Sequence, residues 1–137
     1  MKLKNLLYAN AILFIAAGIA LALYSPLAIN LFGILQQDGN ATMYWHAVSF
    51  SRMYGAALFG YGFLVWALER VVAGEALGSP ARRGILLGLV LANGMGLVVA
   101  LTQQVSVWGT AAGWVTAGIY AAFTGGYAYF LGVKKAE

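Results

Sequence analysis

The residues of this chain that could do chemistry inside an apolar environment are few and clustered. The stretch from Tyr44 to Gly55 holds the only histidine, His46, and the only basic side chain well inside an apolar run, Arg52, with Ser49 between them. His46 and Arg52 are six residues apart, so on a helix they lie about 120° from each other, and Ser49 is within one turn of both. An imidazole without a second histidine or a nearby carboxylate does not match the paired spacings of zinc or di-iron sites. It could serve as one axial ligand of a haem or chlorin, or sit as an interfacial aromatic beside Trp45. Ser49 and Ser51 have one histidine for a base, no internal acid to orient it, and no Gly-x-Ser-x-Gly turn, so nucleophilic hydrolysis is not expected. No glycine loop ends in Lys-Ser or Lys-Thr to cradle a phosphate. The chain therefore reads as non-enzymatic. Two further polar residues are candidates for ligand contact: Asn93, in the middle of an apolar segment, and Tyr120, between Thr116 and Thr124 at a spacing of four.

The elements that must carry these residues follow from composition. Of 137 residues, 62% are hydrophobic and 9% are charged, and mean hydropathy is +0.80. A soluble domain carries about 25% charge, so this is an integral membrane protein. The net charge of +4 comes from basic residues at the ends of apolar runs, which orient a chain in a bilayer; nucleic acid is not an expected partner. There is no cysteine, hence no disulfide, no thiolate metal site and no covalent haem attachment.

Four apolar runs predict an all-α, membrane-embedded four-helix bundle forming one transmembrane domain over 1–137, with helices at about 6–30, 43–68, 84–101 and 105–133. Ala20-Leu21-Ala22 has the small-residue pattern of a signal-peptide cleavage site, but the run continues past it and is read as the first helix. The turn signals are Asp38-Gly39-Asn40, a connector from Val71 to Ala81 with Gly74, Gly78 and Pro80, and Thr102-Gln103-Gln104. Lys2, Lys4, Arg70, Arg82, Arg83, Lys134 and Lys135 all fall on one side of this path. By the positive-inside rule both termini are cytoplasmic, in the inner (plasma) membrane of a cell. Tyr24, Tyr44, Trp45 and Trp108 mark the outer interface, and Tyr8, Trp66, Tyr127 and Tyr129 the inner one.

Two ribbons of small residues at spacing four predict close packing of the third and fourth helices. They are Gly84, Gly88, Ala92, Gly96, Ala100 and Gly109, Gly113, Ala117, Ala121, Gly125. Arg52 lies about 13 Å into a second helix that starts at Met43. At that depth a guanidinium should face the bundle interior, a partner or water rather than lipid. Asp38 is the only acid on the outer side that could meet it. Otherwise its partner is a loop carbonyl, a Thr or Tyr hydroxyl, a lipid phosphate, or the anionic or carbonyl group of a ligand.

The run Arg52-Met53-Tyr54-Gly55-Ala56-Ala57-Leu58-Phe59-Gly60-Tyr61-Gly62-Phe63-Leu64 resembles the Arg-x-x-Gly-Gly-x-x-x-Gly-x-Gly-x-x-Leu pattern in the second helix of small four-helix bacterial membrane proteins of the DUF4345 and DoxX-like kind, with Ala56 in place of the second Gly of the pair. The resemblance covers about 13 residues and implies four helices with an interior arginine. These features together predict an accessory or scaffold subunit of a larger membrane complex, in contact with the lipid bilayer, with other membrane subunits or with itself. Such a subunit could hold a lipid, a quinone or a haem or chlorin pigment near Arg52, with Ser49, His46, Asn93 and Tyr120 as ligand contacts. The alternative is an oligomeric small-solute or anion channel drawing on the same arginine.

Overall fold

The computed structural model describes residues 2–36, 41–72 and 79–133. It is all-helical, with five α-helices and one π-helical turn among the described residues: α1 (Leu3–Leu23), α2 (Ser25–Asn30), α3 (Ala41–Val72), α4 (Ser79–Gln103), the π-helical turn (Gln104–Trp108) and α5 (Ala111–Val133). Three helical segments are long and apolar enough to cross a membrane: Leu3–Leu23, Ala41–Val72 and Pro80–Trp108. The protein is a membrane protein. Asp38, Gly39, Asn40, Gly74, Gly78, Lys134 and Lys135 lie outside the described residues.

The helix ends have local causes. Pro26 has no amide proton to continue the α1 ladder, so the chain restarts as α2 with that proline in its first turn. α2 closes on Gly33, whose φ is 80°. The Gly33 amide donates to Asn30 O at 3.0 Å and the Ile34 amide to Ile29 O at 3.2 Å, which is a Schellman end with its apolar clasp, Ile34 resting on Ile29. The reversal expected at Thr102-Gln103-Gln104 falls later. α4 runs through Gln103 into the π turn, and the chain turns at Gly109 (φ 59°). Thr110 then caps α5, its Oγ1 accepting the Gly113 amide at 3.3 Å, while Gln104 Nε2 donates to Thr110 O at 3.0 Å.

Packing is extensive within two antiparallel pairs, α1 with α3 and α4 with α5, and sparser between them. The α1–α3 pair is in fixed register. Lys4 meets Glu69 as an ion pair at 3.5 Å. Gly62 lies against the Ala11 backbone, and Gly18 and Gly55 lie against each other's carbonyls. Ser25 Oγ donates to Val48 O at 3.1 Å. Successive pairs are seven residues apart on both helices, the repeat of a left-handed antiparallel seam. A Cβ on Gly18 or Gly55 would come within 2.5 Å of backbone nitrogen on the facing helix, so the glycines set the separation. From the ion pair to the serine bond is three heptads, about 31 Å of helix, close to the ~30 Å of a hydrocarbon core.

The small-residue expectation is overturned in its detail. α4 and α5 do pack together, but Gly84, Gly88, Gly109 and Gly125 each face open space; Gly96 meets the Tyr120 ring, and Gly113 meets Gln104 and Trp108. Spacing of four shows that a stripe exists, not what it meets. The close backbone contact belongs to α1 and α3.

Candidate functional site: a cleft between the two helix pairs

Because the two pairs touch sparsely, a cleft of about 790 Å³ lies between them. Its size falls in the range of small-molecule sites, ~300–1,000 Å³. α1 supplies Phe14, α3 supplies Ser51, Tyr54 and Tyr61, and α4 supplies Asn93 and Gly96. α5 supplies Tyr120 and Thr116. The remaining lining is aliphatic or aromatic, and none of the described lining residues is charged. Met95 and Val99, which line it, are themselves exposed, so the cleft opens sideways onto the surface that meets lipid.

Among the described residues, three side-chain hydrogen bonds join one pair to the other. Asn10 Nδ2 of α1 donates to the Tyr127 hydroxyl of α5 at 2.8 Å. Asn93 Nδ2 of α4 donates to the Tyr61 hydroxyl of α3 at 3.0 Å. The hydroxyls of Tyr54 (α3) and Tyr120 (α5) are bonded at 2.8 Å. Asn93 Nδ2 also donates to Leu89 O at 2.8 Å; that carbonyl can only accept, which fixes which way the amide points. The oxygen side, Asn93 Oδ1, is buried with no hydrogen-bond partner, as are Ser51 Oγ and Thr124 Oγ1. In lipid, bonds between helices contribute about 0.6–1.7 kcal/mol each, so three of them hold the pairs together without welding them.

Of the residues singled out in the sequence, Asn93 and Tyr120 are buried at this cleft, and Arg52, Ser49 and His46 are not there. All three of the latter are exposed on α3. Arg52 and Tyr61 are nine residues apart, hence on opposite sides of the helix. Of the three settings expected for Arg52, the bundle interior is thus excluded, and a partner or water remains. α3 has 32 residues, about 48 Å, far longer than a hydrocarbon core, so depth counted from its start is not depth in a bilayer. Measured from the Ser25–Val48 bond, Arg52 is about 6 Å down the helix. Helical side chains slant toward their own N-terminus, which for Arg52 is that same end. Its guanidinium can therefore reach head-group phosphate by snorkelling. His46 and Trp45 lie beyond the bond and are exposed.

Other polar expectations resolve individually. Thr116 turns its hydroxyl back to Ala112 O at 2.9 Å, a local bond within its own helix. Tyr127, expected at an interface, is fully buried because its hydroxyl serves Asn10. Glu69 is buried at the Lys4 end, with Lys4 itself over the Tyr8 ring at 5.6 Å. Tyr54, Tyr61 and Ser51 were not anticipated. Their spacing, Ser51, Tyr54, Leu58 and Tyr61 at intervals of three and four, is the stripe that could have revealed them.

No family model, no curated protein and no solved structure matches this chain.

Proposed function

We propose that this protein is a non-enzymatic subunit of the inner (plasma) membrane that holds a lipid-like molecule in the cleft between its two helix pairs, as an accessory or scaffold component of a larger membrane complex. On this reading α5, 23 residues long without a charge, is a fourth span. The fold is then a four-helix bundle, and the basic residues put both termini in the cytoplasm. The observation that carries the reading is the cleft itself: apolar, open sideways, and supplied with a few convergent hydroxyl and amide groups, as sites for hydrophobic ligands are.

The site of the ligand moves accordingly, from the Arg52 side of α3 to the Tyr54–Tyr61 side. Arg52 becomes a head-group anchor. The competing anion-channel reading draws support from Arg52 as an anion-attracting residue. Its exposed position, apart from Asn93 and Thr116, favours lipid contact instead. Native mass spectrometry of the protein in mild detergent tests the proposal. A co-purifying lipid-like adduct, lost in Ala92→Trp, which fills the cleft from α4, is the expected result. Adducts that persist undiminished in that variant would refute it. Liposome anion flux abolished by Arg52→Ala would establish the channel in its place.

A further inference from the structure

The Tyr54–Tyr120 pair carries chemical information about what the cleft takes. Two phenols bring two O–H donors, and a bond between them uses one. Whichever ring donates, the other keeps a proton with no acceptor among the described residues, in a cleft whose surroundings are lipid rather than water. The pair is built rather than incidental. Tyr120 is only 9% exposed, its ring lies against Phe14 with centroids 5.4 Å apart, and it occupies the space that a side chain at Gly96 would need. Ser51, three residues before Tyr54 on the same face, adds a second uncommitted hydroxyl.

We infer that the occupant of the cleft is a neutral lipid with a carbonyl head group, whose oxygen accepts the spare phenol proton of the Tyr54–Tyr120 pair; this rests on the ligand-holding reading above. A donor selects an acceptor. A carboxylate or phosphate would also accept, but it would enter a cleft with no cation among its described lining residues, since Arg52 faces the other side of α3, and burying an unpaired anion is far costlier than burying a ketone or ester. The apolar remainder of the lining takes the chain.

The experiment compares three probes on the full chain in detergent, titrated by native mass spectrometry: a long-chain methyl ketone, the alkane of equal length, and the corresponding fatty acid as its carboxylate. The ketone is expected to bind roughly fivefold to tenfold more tightly than the alkane, as one neutral hydrogen bond allows, and more tightly than the carboxylate. Tyr54→Phe and Tyr120→Phe singly keep most of the preference, because the remaining phenol regains a free proton. The double variant binds ketone and alkane alike, and alkane binding at the parent's level shows that its cleft is intact. Should the double variant not fold, Gly96→Ala, which displaces the Tyr120 ring, carries the same test. Equal binding of ketone and alkane by the parent, an unchanged preference in the double variant, or tighter binding of the carboxylate overturns the inference. If Ala92→Trp still abolishes binding of all three, the cleft reading survives that failure. No binding by the parent, or full binding by Ala92→Trp, overturns both.

Discussion

Arg52 and Asn93 show how differently two polar residues in apolar helices can be used. Arg52 contributes outside the cleft, so Arg52→Gln is expected to leave ketone binding within about twofold of the parent, read by the same titration. Asn93 contributes inside. Asn93→Leu removes its bonds to Tyr61 and Leu89 and should lower stability by about 1–2 kcal/mol in bicelles, whereas Tyr61→Phe, which removes one of them, should cost about half as much. Equal losses would mean that the Leu89 bond contributes nothing. The presence of both residues was legible from the sequence, because a charge or an amide amid aliphatic side chains stands out. Their directions were not. One position along a helix becomes a direction only when the facing helix is known.

At the scale of helices, glycine content misleads and register informs. The spacing-four ribbons of α4 and α5 are long, yet four of their six glycines face open space. Gly18, Gly55 and Gly62 are less conspicuous in the sequence and let the α1 and α3 backbones touch. Substitution separates the two sets. Gly18→Ala or Gly55→Ala pushes a methyl group into opposing backbone and should destabilise by about 1–3 kcal/mol, as overpacking does. Gly84→Ala and Gly88→Ala should stay within about 0.5 kcal/mol. Thermal unfolding in a single detergent gives the comparison. The membrane-spanning character of α1, α3 and α4 could be read from hydropathy alone, since burial in lipid needs only length and apolarity. The partnering of α1 with α3 depends on seven-residue coincidences between two distant segments, which no single segment displays.

For the whole molecule, the Lys4–Glu69 pair and the Ser25–Val48 bond stand about 31 Å apart along α3. Stability should therefore peak in bilayers whose hydrocarbon core is about 30 Å thick and fall in thinner ones, where the helices must tilt or the bilayer deform. Unfolding in vesicles of graded acyl-chain length measures this; a flat profile would separate the two polar contacts from the membrane boundaries.

α5 differs from the other long helices in one respect that bears on how the protein is made. It carries Tyr120, Thr124 and Tyr127 with Gly113, Gly118, Gly125 and Gly126, and it is not one of the three described segments long and apolar enough to cross a membrane. The hydroxyls that latch the cleft are the same groups that weaken its partition into lipid. Because α4 and α5 pack together, its entry into the bilayer during synthesis is expected to be aided by α4. Placed singly in a host protein and scored by glycosylation mapping, α5 should integrate less completely than α1, and the two-helix unit from Ser79 to Val133 should restore integration. Assembly of the cleft would then follow the entry of α5 beside α4.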